Sequence, residues 1–89
     1  MTLSEIDEVV RREHGLPATL KGALVAEIDE DSVAFESGLR AGDVIQEINH
    51  QGVTRTEDAA VVMQRTGGKR LVLRIWSQGS SRYLVVGKD

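Results

Sequence analysis

The chain has 89 residues, of which 40% are hydrophobic and 28% charged, with one proline, no cysteine and a formal net charge of −3. A chain of this length buries only roughly 60–65% of the surface its unfolded form exposes, so it supports one modest core. The composition excludes a disordered chain and long apolar spans, the missing cysteines exclude disulfides and thiolate chemistry, and the acidic balance argues against nucleic acid. The acidic N-terminus MTLSEIDEVV is no signal peptide, so for an exported parent the chain is expected to be an excised fragment.

Ser4 followed by Asp7 reads as a variant capping box, and Ile6, Val9 and Val10 recur at helical spacing, which predicts an amphipathic helix over about Glu5–His14 closed by Gly15 and Pro17. Ala23–Ile28 reads as a strand with Ala23 and Val25 on one face and Leu24, Ala26 and Ile28 on the other. The acidic run Glu27, Asp29, Glu30, Asp31 reads as a solvated strand end and loop that weakly repels acidic peptides, and the basic pairs Arg11-Arg12 and Lys69-Arg70 as ordinary surface.

Ser32–Asn49, SVAFESGLRAGDVIQEIN, is the stretch that organises the chain. Ser32 caps a short helix that Gly38 ends, and a helix of barely more than one turn survives only if Val33, Ala34, Phe35 and Leu39 pack against something. Gly42-Asp43 reads as a turn in which the carboxylate bonds a nearby N–H, and Val44–Ile48 as a strand ending at Asn49. Thr54 and Glu57 form a second capping box that opens a helix stopping at Gly67-Gly68, with Ala59, Val62 and Met63 on one face and Thr56, Ala60 and Met63 on an adjacent one. Arg70–Trp76 alternates as a strand, Ser77-Gln78-Gly79-Ser80 has turn composition, and Arg82–Val86 returns as the hairpin partner.

No motif carries catalysis. His14 and His50 lack metal-site spacing, the serines are caps and turn residues rather than a nucleophile elbow, and the glycines are scattered stops rather than a phosphate loop. No cofactor or metal is expected, and the chain is not expected to be an enzyme.

The ordered set of short helix, glycine stop, Leu39-x-x-Gly42-Asp43-Val44-Ile45 and Ile48-Asn49 resembles the PDZ domains of bacterial HtrA or Do-like (DegP/DegQ-type) serine proteases. The resemblance runs on through Gln51-Gly52-Val53, the helical TEDAAVVM and the last two strands; Val33 and His50 depart from it, at positions where that family often has proline and glycine. It implies an α+β, PDZ-like fold in the permuted bacterial strand order, with residues 1–89 a single domain. Its sheet is small, mostly antiparallel and of about five strands, or a partly open barrel, closed by two helices and a short helical turn.

In that order the ligand-binding strand comes first, as Met1-Thr2-Leu3, and a peptide adds to its edge beside the helix. The resemblance places Thr56 and Ala60 at ligand-facing positions and Met63 on the pocket floor, which Leu3 completes; helix-start capping for Thr56 and simple core packing for Ala60 and Met63 are the competing readings. The loop that holds a ligand's terminal carboxylate in such domains is expected to be missing here or reduced to Met1, the chain either beginning inside it or having lost it. The implied function is non-catalytic binding of C-termini or extended apolar segments for an attached serine protease, in the periplasm or another extracytoplasmic compartment. The terminal strand suggests the last PDZ domain of its parent, monomeric in isolation and without membrane insertion. The rival reading is a structural module with a vestigial groove that packs domain to domain.

Overall fold

The computed structural model describes residues 1–67 and 70–87. In chain order it contains β1 (Thr2–Ser4), α1 (Glu8–His14), β2 (Ala23–Glu27), α2 (Val33–Glu36), β3 (Val44–Ile48), β4 (Gln51–Gly52), α3 (Thr56–Thr66), β5 (Leu71–Ser77) and β6 (Ser80–Val86). Every pairing is antiparallel and the sheet runs β1-β2-β3-β5-β6, with β4 paired only to β3. The expected α+β architecture stands. The sheet is open rather than closed into a barrel, and β4 is a sixth strand beyond the five expected. It exists because Asn49 and His50 take φ of 50° and 67°, a two-residue reversal that lays Gln51 beside Ile48.

β3 carries an extra residue. Its ladder with β5 pairs Ile45 with Ile75 and then Glu47 with Arg74, leaving Gln46 without a partner on that side. Such a bulge breaks the two-residue alternation, so Ile45 and Ile48, three positions apart, both enter the main core. That core joins them to Ala23, Val25, Leu39, Val53, Leu73 and Ile75 from the sheet side and its loops, and to Ala59 and Val62 from α3. A second cluster on the opposite sheet face unites Leu16, Leu20, Leu24 and Val44, with Ile6, Val10 and Trp76 packed against it.

α2 is held as its sequence implies. Ser32 Oγ accepts from the Phe35 N–H at 3.2 Å and donates to the Asp29 carbonyl at 2.6 Å. Leu39 is fully buried and Ala34 packs on the core, but Val33 points outward at 41% exposure. Phe35 lies under the Arg40 guanidinium, 3.7 Å from the ring centroid. Asp43 is buried and its Oδ2 accepts from the Arg40 N–H at 3.0 Å, while the Val25 N–H bonds the Asp43 carbonyl and the Gly42 N–H the Val25 carbonyl. Asn49 replaces a missing ladder rung: its N–H donates to Val72 O at 2.7 Å and its Oδ1 accepts from the Val72 N–H at 2.9 Å.

Three helix details differ from the sequence reading. α1 starts at Glu8 with Asp7, not Ser4, as the cap, Oδ1 accepting from the Val10 N–H at 2.8 Å; Ser4 instead ends β1. Because the helix starts late, Ile6 packs from the preceding segment and Val9 is left 54% exposed. α3 starts at Thr56, one turn position later than a Thr54 cap requires, and Asp58 rather than Glu57 closes it, Oδ2 accepting from the N–H groups of Thr54 and Arg55. Gly67 takes the left-handed C-cap at φ 61°; the expected partner stop Gly68 and the basic Lys69 lie outside the described residues. Arg11 is not free surface, because its Nη1 donates to the carbonyls of Pro17 and Leu20 at 2.8 and 2.7 Å and so ties α1 to the loop before β2.

Two backbone positions give measurable consequences. Gly22 has φ +150°, and a Cβ there would collide with the Ile45 carbonyl oxygen of the neighbouring strand, so Gly22→Ala is expected to cost more than about 2 kcal/mol in chemical denaturation. His50 is exposed in a left-handed conformation that charges a side chain for its Cβ, so His50→Gly is expected to stabilise the domain by roughly 1 kcal/mol in the same assay.

Candidate functional site

β1 is an edge strand. Its one partner is β2, through Thr2↔Glu27, Leu3↔Val25 and Ser4↔Leu24, and among the described residues no strand pairs its other side. A row of unpaired peptide groups is therefore available along it. Of the expected strand residues, Leu3 is half-buried against the main core, while Thr2 and Met1 are exposed.

The helical wheel of α3 decides what faces that edge. Ala59 and Val62 enter the core, at 0% and 6% exposure. On one flank Glu57, Asp58 and Val61 border a shallow concavity of about 200 Å³ with Gln51 and Gly52 of β4. Successive residues turn by 100°, so Thr56, Ala60 and Met63 form the opposite flank, away from β4. Met63 is half-buried on the same core cluster as Leu3, Thr56 is half-buried as the first residue of the helix, and Ala60 is exposed.

A direct bond ties that flank to the end of β1. Glu5, the residue after the strand, accepts the Thr56 backbone N–H on Oε1 at 2.5 Å. The first N–H groups of a helix have no acceptor within it, and the positive end of the helix dipole favours a carboxylate there. The Thr56 N–H, then the Thr56 side chain, with a smaller contribution from Arg55, hold the Glu5 carboxyl below the usual glutamate range despite opposing contributions from desolvation and Asp58. This residue was missed by sequence reasoning, which spent Glu5 on α1; a contact spanning 51 residues leaves no periodic signal.

Other features offer less chemistry. A cleft of about 280 Å³ is lined by His14, Arg40, Asp43, Trp76 and Arg82, but the Arg40 guanidinium donates to the Phe35 and Leu39 carbonyls and that of Arg82 to Gly38 O. Both histidines are exposed, and among the described residues no group of three or more His, Cys, Asp or Glu could hold a metal ion. No described helix is long and apolar enough to cross a membrane.

The PDZ domain family model matches residues 24–77, and the chain belongs to this family. Within it, the chain is 35% identical over 69 residues to a "Probable periplasmic serine endoprotease DegP-like" of Brucella suis, covering 74% of this chain and 14% of that protein. It is 45% identical over 49 residues to "SH3 and multiple ankyrin repeat domains protein 2" of Xenopus laevis, covering 54% of this chain and 4% of that one. The chain thus spans a small part of the curated relatives it matches. Among solved structures, the HtrA-type protease AlgW with a decapeptide superposes with a TM-score of 0.85 at 24% identity, over 96% of this chain and 26% of that one. The HtrA3 PDZ domain bound to a phage-derived ligand, FGRWV, superposes with a TM-score of 0.76 at 17% identity, over 97% and 78%.

The Glu5 bridge carries a pH signature. A carboxyl lowered by folding contributes stability that is present above its unfolded value and lost as pH falls through its lower folded value. In an NMR titration the Thr56 amide resonance is expected to move with a midpoint below that of an ordinary glutamate, and in Glu5→Gln this acid transition of the Thr56 amide is expected to disappear.

Proposed function

We propose that the domain binds extended peptide by strand addition to β1, with Met1, Thr2 and Leu3 forming the strand side of the groove and Thr56, Ala60 and Met63 the helix side. The observation that carries this reading is the free β1 edge, tied through Glu5 to Thr56 at the start of the helix flank, with Leu3 and Met63 on one core cluster. Backbone bonding along the edge supplies affinity, and the pocket between Leu3 and Met63 supplies preference. Met63 is unbranched and polarizable, so the pocket accepts several apolar side chains rather than one. The short exposed Ala60 leaves room for the ligand beside the helix. The contact is small and the affinity accordingly on the order of micromolar.

The partners are protein C-termini or extended apolar segments of unfolded chains. The role is non-catalytic recognition for an attached serine protease of the DegP-like kind, in the periplasm, with residues 1–89 as one domain; the DegP-like relative and the peptide-bound HtrA-type neighbours support this. Glu27 and Asp29 line a concavity with Met1 and Thr2, so the strand's N-terminal end is acidic. This potential selects against acidic peptides and is screened by salt.

The test is an NMR titration with peptides ending in apolar residues. Shifts are expected at Thr2, Leu3, Ser4 and the α3 flank, and Ala60→Arg is expected to weaken binding at least about tenfold while leaving the thermal midpoint nearly unchanged, as for an exposed substitution. Adding acidic residues to the peptide is expected to weaken binding at low salt and much less at high salt. No response from the wild-type domain at millimolar peptide would overturn the reading.

A further inference from the structure

The second edge of the sheet is unlike the first. β6 is seven residues long and pairs with β5 at every position from Leu71↔Val86 to Ser77↔Ser80, without a bulge. The reversal between them is two residues, Gln78 at φ 49° and Gly79 at φ 91°, so Ser77 and Ser80 are the hydrogen-bonded pair beside the turn. Antiparallel alternation then directs the N–H and C=O groups of Ser80, Arg82, Leu84 and Val86 to β5, and those of Ser81, Tyr83 and Val85 outward. Among the described residues no strand pairs that outer side.

Edges of this length are normally blunted by proline, bulges or charge. β6 has neither proline nor bulge, and its one charged residue, Arg82, reaches across to Gly38 O at 3.5 Å. Tyr83 and Val85 stand exposed instead, at 57% and 51%. Gly87, at φ +115°, lies beside Arg70, where a Cβ would meet the Arg70 Cα at 3.1 Å.

We infer that β6 is a self-association edge, on which two copies of the chain pair antiparallel about a two-fold axis at Tyr83. The register follows from the alternation. Tyr83 opposes the second copy's Tyr83 and Ser81 opposes its Val85, so all the outward groups meet in hydrogen-bonding pairs, a self-complementary arrangement that an isologous contact requires. Arg82 opposes the second copy's Leu84, so the single charge of each strand faces an apolar residue and no like charges are placed directly opposite one another. A single strand pair buries less than a standard interface, so the dimer is weak, with a dissociation constant on the order of 0.1 mM, and it acts where copies are concentrated or tethered. This departs from the monomer the sequence reading expects. It does not depend on the β1 groove.

The test is sedimentation equilibrium of the chain from about 10 µM to about 1 mM, with amide shifts and exchange followed by NMR over the same range. The expected result is a weight-average mass rising toward that of a dimer, with concentration-dependent shifts and slowed exchange at the amides of Ser81, Tyr83 and Val85. Val85→Lys and Tyr83→Lys, both at exposed positions, are expected to weaken association at least tenfold while keeping the thermal midpoint and peptide binding at β1; Val9→Lys on α1 is expected to change nothing. A wild-type chain that stays monomeric at about 1 mM, or a dimer insensitive to both β6 variants or with its shifts on β1, would overturn the inference.

Discussion

The extra residue in β3 is the constraint on which the rest of the domain depends. A chain of 89 residues can fill only one main core, and that core needs both Ile45 and Ile48. Regular alternation would send one of them to the opposite face. Setting Gln46 aside from the β5 ladder turns both inward, and its carbonyl accepts from the Val53 N–H at 2.9 Å on the other side. Val53, itself buried, begins the connection into α3, so the bulge also fixes where the helix enters and which residues, Ala59 and Val62, it lowers onto the sheet.

Once that stripe is fixed, the remaining faces of α3 have no freedom. The Asp58 and Val61 flank borders β4, and Thr56, Ala60 and Met63 form the opposite flank of the helix. Glu5 then joins the end of β1 to the start of α3 through the Thr56 N–H. A strand of three residues has little stability of its own, so this bond and the burial of Leu3 give the edge a defined position relative to the helix. The two edges of the sheet follow different designs: β1 is short, irregular between Thr2 and Leu3 and bordered by acidic residues, whereas β6 is long, regular and nearly uncharged.

Local chemistry was legible in the sequence wherever a residue's partner lies within a few positions. Ser32 caps α2, Asp43 bonds the Arg40 N–H, and the alternation of Leu71, Leu73 and Ile75 against Val72, Arg74 and Trp76 sorts the two faces of β5 as read. Short polar stretches misled: the reading placed the caps at Ser4 and at Thr54 with Glu57, whereas tertiary contacts select Asp7 and Arg55 with Asp58. The turn at Asn49-His50 was legible from Asn49 and from the glycine that the resemblance puts at position 50, but the short β4 that follows it was not. The period that puts Thr56, Ala60 and Met63 on one helix face was legible; the Glu5 bridge and the β3 bulge were not, since each depends on where another part of the chain arrives.

The most direct measurement is a set of intermolecular nuclear Overhauser effects between a bound apolar peptide and the methyl-labelled domain. Contacts are expected from a ligand side chain to both Leu3 and Met63, together with backbone contacts to β1 in an antiparallel strand register. Contacts confined to another surface, such as the cleft beside Trp76 and Arg40, would contradict this.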